Sequence, residues 1–220
     1  MFIKKNEIIQ TRSEEIVNTI THAIGSILSI VALCFLLYKA IKHGSARHIV
    51  SCSIFGGSLF FLYLMSTIYH LIKHPIAKKV FRRFDHIGIY LLIAGTYMPL
   101  VLISLRGYIG WTIFYIETSL CFIGVSFKAI FGPKLEIISS IFYVFMGGVA
   151  IFFIKPIFSS LSKGVLFWIC LGGVFYAFGI FFFMSDKKYH YFHSIWHVFV
   201  LFGSLCHFYM VYAYILPGVS

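Results

Sequence analysis

The sequence predicts an all-α membrane protein: one domain, residues 1–220, folded as a seven-transmembrane-helix bundle with its N-terminus cytoplasmic and its C-terminus outside. Three observations predict it. Hydrophobic residues make up 60% of the chain and charged ones only 11%, against about 25% charged in soluble domains, and the mean hydropathy is +0.93. Apolar runs of about 20 residues, the length that crosses a hydrocarbon core, recur from end to end and leave no stretch for a separate soluble unit. The 18 Lys and Arg residues fall in the short segments between those runs, without the basic and aromatic interleaving of a nucleic-acid face. They read as topology signals and lipid headgroup contacts, and no nucleic-acid partner is expected.

The first run, 16–41, follows a charged segment that lacks the short apolar core and small-residue cleavage site of a removed signal peptide. It therefore serves as its own uncleaved insertion signal. The second run, 49–72, lies between Gly44 and Pro75, and the third and fourth, 84–105 and 108–127, are separated only by Arg106-Gly107. The fifth, 137–154, is bounded by Gly132-Pro133 and Pro156, the sixth, 165–184, opens after Gly164, and the seventh covers 189–216; Gly and Pro are the breakers expected at such boundaries. Gly56-Gly57, Gly147-Gly148 and Gly172-Gly173, inside runs, read as points of close helix packing. Lys4, Lys5, Arg12, Lys73, Lys78, Lys79, Arg82, Arg83, Lys128, Lys134, Lys187 and Lys188 fall on one side of this map. Only Lys39, Lys42, Arg47, Arg106, Lys155 and Lys163 fall on the other. Cytoplasmic loops carry the excess of Lys and Arg, which sets the orientation. The five cysteines occupy separate runs without a Cys-x-x-Cys pair, so neither a disulfide framework nor a thiolate metal site is indicated.

The polar residues then concentrate on one membrane face. His22 is near the start of the first run, His70 at the end of the second, Asp85 at the start of the third, and His193 and His197 in the first turns of the seventh. A polar group in lipid has to be paired, ligated or facing water. His193 and His197, four apart, project from one helical face and suit a single metal ion. A lone pair at that spacing is common. A third histidine at the same depth makes an open zinc site, and His70 is the candidate. Three neutral imidazoles leave the fourth position to water, whose pKa then falls to about 7. Asp85 accepts a hydrogen bond from that water or acts as general base; the bland alternative is that it caps the third span or pairs with Arg82 or Arg83. Ser66, four residues before His70, shares its helical face and orients water or a substrate carbonyl.

Other polar residues read differently. His190 is interfacial, and His207, roughly 21 Å further along its helix than His193, is an interhelical hydrogen-bonder. His43, His48, His74 and His86 flank loops and are expected to be solvated or headgroup-facing. Glu117 lies within the fourth run, where an acid is either partnered or protonated.

The motifs Glu15-x-x-Asn18-x-x-Thr21-His22-x-x-Gly25, Ser66-x-x-x-His70, Phe84-Asp85-x-x-Gly88-Ile89 with Gly95-Thr96-Tyr97-Met98-Pro99 behind it, and His193-x-x-Trp196-His197 with Gly203 and His207 run in order along nearly the whole chain. Together they resemble the hemolysin III family, the bacterial branch of the progestin and adipoQ receptor proteins, related to alkaline ceramidases. The resemblance implies Zn2+ held by His70, His193 and His197, with Ser66 and Asp85 near its water, in a bacterial cytoplasmic (inner) membrane. It leaves three functions open. One is a zinc-dependent hydrolase cleaving an amide or ester of a membrane lipid that arrives from the cytoplasmic leaflet. The others are a cytolysin or pore former, disfavoured by the lack of a repeated polar stripe, and a sensor or receptor with structural zinc.

Overall fold

Thr11 and Glu14 start the first helix: the Thr11 backbone N–H donates to Glu14 Oε2 at 2.7 Å and the Glu14 N–H to Thr11 Oγ1 at 3.3 Å. This reciprocal pairing satisfies two of the orphan donors at a helix start. It opens α1 (Arg12–His43) in a computed structural model that describes residues 10–132 and 135–216. Lys4, Lys5, Pro133 and Lys134 lie outside the described residues. Gly44 ends α1, and α2 (Ala46–Leu71) begins where the Ser45 N–H donates to His48 Nδ1 at 3.1 Å. His74 caps α3 (Pro75–Pro99), its Nδ1 accepting from the Ala77 N–H at 3.4 Å, and Pro75 supplies the preset φ of a first helical position.

From Pro99 the chain passes into a π turn, Leu100–Ser104, closed by Leu105 N–H to Leu100 O at 2.7 Å. Gly107, at φ +85°, then turns it into α4 (Tyr108–Phe131), a conformation that residues with a Cβ rarely adopt. After α5 (Glu136–Gly147), α6 (Val149–Phe152) and α7 (Ile154–Ser160) come α8 (Lys163–Ser185) and α9 (Phe192–Met210), which runs on into a second π turn, Val211–Ile215. Six of the described helices are long and apolar enough to cross a membrane: α1, α2, α3 with its π turn, α4, α8 and α9 with its π turn.

The all-α membrane bundle is as expected, with two differences of detail. The fifth run is three short helices rather than one, broken at Gly148 and Phe153. Glycine weakens a helix interior, and Pro156 has no N–H to continue the ladder from residue 152. The broken segment nevertheless leads from one end of the bundle to the other. Glu136 at its start pairs with both Arg82 and Lys187, so residues 82, 136 and 187 share an end. The 23 residues of α8 span roughly 34 Å, so Lys163 lies at the opposite end and 136–160 covers the distance between. Tyr97 straps the break: its hydroxyl donates to Gly147 O at 2.9 Å and accepts from the Ala150 N–H at 3.2 Å.

The second difference is that α3 begins at Pro75, nine residues before the third apolar run. Lys78, Lys79, Arg82 and Arg83 break the apolar pattern but are good helix formers. Asp85 is therefore in the third turn, and His86, expected at a solvated loop, is buried at 6% exposure.

The core is built from Leu36, Phe55, Leu59, Leu62, Tyr63, Ile113, Met210 and Val211. Large apolar side chains such as Ile20, Ile27 and Leu28 on α1 and Phe167, Phe178 and Phe181 on α8 point outward, as they do when the solvent is lipid. The glycine pairs divide in role. A Cβ on Gly172 would sit 2.3 Å from His207 Nε2, whereas Gly173 and Gly147 face open space.

Candidate metal centre

The ligand-bearing end of α9 is set by α1. Tyr191 precedes α9 in the left-handed region at φ 60°, a conformation costly for a residue with a side chain. It is held there because its backbone N–H donates to Glu14 Oε1 at 2.6 Å. One turn on, Ser194 Oγ donates to Asn18 Oδ1 at 2.5 Å, and one turn further His22 stacks flat on His197, centroids 3.5 Å apart and planes 12° from parallel. The stripe Glu14, Asn18, Thr21, His22 and Gly25 is thus one face of α1 laid along α9.

That docking brings His193 and His197, in the first two turns of α9, against His70, one residue before the end of α2. The ring centroids are 5.2, 5.2 and 4.7 Å apart, and one ring nitrogen from each lies within 4.8 Å of the others. His70 and His197 are buried, at 4% and 0% exposure.

Each ring is anchored through Nδ1. His70 Nδ1–H donates to Glu15 Oε2 at 2.7 Å, and His193 Nδ1–H to Asp186 Oδ2 at 2.8 Å. His197 Nδ1 is 3.1 Å from Thr21 Oγ1. The single hydroxyl proton of Thr21 goes to the carbonyls of Val17 and Asn18, both at 2.9 Å, so its oxygen is left to accept from the imidazole. All three Nε2 atoms, by contrast, are buried without a hydrogen-bond partner. Buried polar atoms are rarely left so, and three in one cluster, each backed by an Nδ1–H acceptor, reproduce the arrangement in which a second acceptor fixes a metal-binding histidine. The donor set fits zinc: three neutral imidazole nitrogens, with room in the coordination sphere for a fourth group.

Asp85 and Ser66 arrive from α3 and α2, at 2% and 0% exposure. Asp85 faces His193 and has the Ser66 hydroxyl within reach, while its Oδ1 is buried with no donor at hydrogen-bond distance among the described residues. His74 rather than Asp85 caps α3, Arg82 is engaged with Glu136, and among the described residues no ion pair joins Asp85 to Arg82 or Arg83. All five expected site residues therefore converge at one end of the bundle. The sequence reading assigned no role to Asp186, Thr21 or Glu15, which hold the rings, or to Lys78, which pairs with Glu15 at 2.7 Å. The one available signal was the crowding of Glu14, Glu15, Asp85, Glu136 and Asp186 on a single side of a chain with seven acidic residues.

The remaining polar residues are placed elsewhere. His207 Nε2 reaches Ile169 O at 3.4 Å, the interhelical contact expected of it. His190 is interfacial, its ring 3.2 Å from Glu14 Oε2. Glu117 is fully buried on α4, with no hydrogen-bond partner for either carboxyl oxygen among the described residues.

Residues 10–208 match a family model described as Haemolysin-III related. The chain is 44% identical over 217 residues to "Hemolysin-3" of Bacillus cereus, covering 99% of both chains. It is 44% identical over 204 residues to "Hemolysin-3 homolog" of Bacillus subtilis (strain 168), covering 93% of this chain and 95% of the relative. At 26% identity over 177 residues it is similar to "Monocyte to macrophage differentiation factor" of Homo sapiens, covering 76% of this chain and 71% of the relative. No solved structure matches.

Proposed function

This chain belongs to the haemolysin-III related family and is an integral membrane protein; we propose that it is a zinc-dependent hydrolase of a lipid amide or ester. His70, His193 and His197 hold the ion, and the charge distribution turns the site toward the cytoplasmic leaflet of a bacterial inner membrane. The observation that carries the reading is the set of buried atoms without partners: three Nε2 atoms with Asp85 Oδ1 and Ser66 Oγ beside them. A purely structural zinc is closed by four protein ligands and does not require a buried carboxylate and hydroxyl beside three imidazoles.

Zinc bound by three imidazoles supplies a Lewis acid that polarises a carbonyl and acidifies water near neutral pH. Glu15, Asp186 and Thr21 keep the imidazole Nδ1 atoms protonated and the Nε2 lone pairs aimed inward. Asp85 takes the proton from the attacking water and passes it to the leaving amine or alcohol. The carbonyl carbon gains the water oxygen and loses its bond to nitrogen or oxygen, giving a carboxylic acid and a free amine or alcohol. Ser66 Oγ donates to the carbonyl oxygen and sets its orientation. The lipid-like surroundings favour a substrate whose acyl chain stays in the bilayer.

Asp85→Asn keeps the shape of the side chain and removes the base. Zinc content and cleavage of N-acyl and ester lipids, measured on the same preparation, test the assignment. The expected result is wild-type zinc with turnover reduced by about 10²–10⁴. Zinc lost in proportion to activity would make Asp85 a ligand, and turnover at the wild-type rate would remove it from the chemistry. A zinc-loaded wild-type protein that cleaves neither lipid class would overturn the hydrolase reading and leave a sensor with bound zinc.

A further inference from the structure

At the end of the bundle remote from the histidines, a cleft of about 230 Å³ opens where α2 begins and the α3–α4 connection passes. It is lined by Arg47, Val50, Val101, Leu102, Arg106 and Trp111, among others. Two guanidinium groups share this cleft. Arg106 spends only its Nε–H, on Ile103 O at 3.1 Å, and among the described residues neither arginine has an ion pair. The nearby lysines are differently placed, since Lys39 Nζ donates to Tyr212 O at 2.7 Å and Lys42 Nζ to the Tyr38 hydroxyl at 3.1 Å.

Among the described residues no acidic side chain faces these arginines. Glu14, Glu15, Asp85, Glu136 and Asp186 are at the histidine end, as the ion pairs and hydrogen bonds above show, and Glu117 is sealed within α4 at 0% exposure. Two like charges facing one cleft repel unless an anion lies between them, and arginine matches phosphate oxygens with paired donors. The setting is a membrane interface: Trp111 and Tyr108 are exposed at 47% and 86%, in the manner of the aromatic belts at headgroup level. Val50, Val101 and Leu102 give the cleft an apolar wall, which has nothing to offer a soluble anion and suits an acyl chain or glycerol backbone.

We propose that this cleft binds an anionic phospholipid, its phosphate between Arg47 and Arg106 and its acyl region along Val50, Val101 and Leu102. The site is independent of the metal centre. Arg47 and His70 lie at opposite ends of α2, 23 residues or roughly 35 Å apart.

The full-length protein, delipidated in an uncharged detergent, can be mixed with equal amounts of phosphatidylglycerol and phosphatidylcholine and its retained lipid read by native mass spectrometry. Wild type is expected to retain phosphatidylglycerol in preference. R47Q and R106Q are each expected to lower that preference about fivefold, and the double variant to abolish it, with zinc content unchanged as the check on folding. An unaltered preference in both single variants would overturn the proposal. So would inorganic phosphate alone raising the melting temperature as much as phosphatidylglycerol does, since the cleft would then be a site for a free anion.

Discussion

The two ends of the bundle treat charge in opposite ways. At the histidine end most carboxylates find partners within the protein: Glu15 holds His70 and Lys78, Glu136 holds Arg82 and Lys187, Asp186 holds His193, and Glu14 reaches Tyr191 and His190. At the other end the exposed charges among the described residues are cationic, and Arg47 and Arg106 have no ion pair there. Side chains whose partners are built into the protein have fixed positions, which is what a metal site or a catalytic base requires. Side chains whose partners must arrive from the bilayer stay adaptable, which suits binding a lipid that exchanges. Where the acids sit therefore separates the end that holds the histidine cluster from the end that presents unpaired arginines.

The strongest test of that contrast is to remove ligands at the first end only. His70→Ala, His193→Ala and His197→Ala are each expected to abolish most of the zinc, from about one ion per chain by elemental analysis, while R47Q/R106Q leaves it intact. Full occupancy in all three histidine variants would end the site assignment. Zinc loss in the arginine variant would mean that the two ends are coupled.

The next effect concerns the acceptors behind the rings. Glu15→Gln and Asp186→Asn keep the volume and an acceptor oxygen but remove the negative charge that orients the imidazole and raises its basicity. Each is expected to weaken zinc binding about 10- to 100-fold, as outer-shell changes do, measured by competition with a chelator. Lys78→Gln, which loses only a neighbour of Glu15, should do less. Equal losses for Lys78→Gln and Glu15→Gln would shift the cause from the Glu15–His70 bond to the local charge balance.

Much of this was legible in the sequence, for reasons that also explain what was not. The apolar runs marked the membrane bundle because a span must be about 20 residues of one character, and imidazoles inside such runs are conspicuous. His70, His193, His197, Asp85 and Ser66 could be gathered at one end because alternate crossings return the chain there. Asp186 was invisible because it lies in the short non-helical connection between α8 and α9, where its seven-residue separation from His193 carries no helical meaning. Thr21 and Glu15 stood in a recognisable motif, but one helix viewed alone does not say which neighbour its polar stripe will meet. The length of α3 was missed because basic residues hide a helix from a search for apolar runs. The break in the fifth run follows from Gly148 and Pro156, yet only Tyr97, from another helix, supplies the hydrogen bonds that make it tolerable.

The smallest expected effect belongs to Thr21. Its oxygen is the one uncharged acceptor among the three, 3.1 Å from His197 Nδ1, and a neutral hydrogen bond is worth roughly half a charge-assisted one. The His197 ring also has a second restraint that the other two lack, the stack of His22 across its face at 3.5 Å. Thr21→Val keeps the branched shape on α1 and removes the acceptor, leaving that stack in place. Zinc affinity is therefore expected to fall by about tenfold or less, at the low end of outer-shell effects, and by less than in Asp186→Asn. Replacing His22 with Leu in the Thr21→Val background removes the remaining restraint and should bring the loss to the level of the carboxylate variants. If Thr21→Val alone already equals Asp186→Asn, the charge of the acceptor is immaterial, and the density of acids at this end serves something other than the rings. If the double variant adds nothing to the single one, the stack does not hold His197, and its anchors are Thr21 and the neighbouring Asn18 carbonyl.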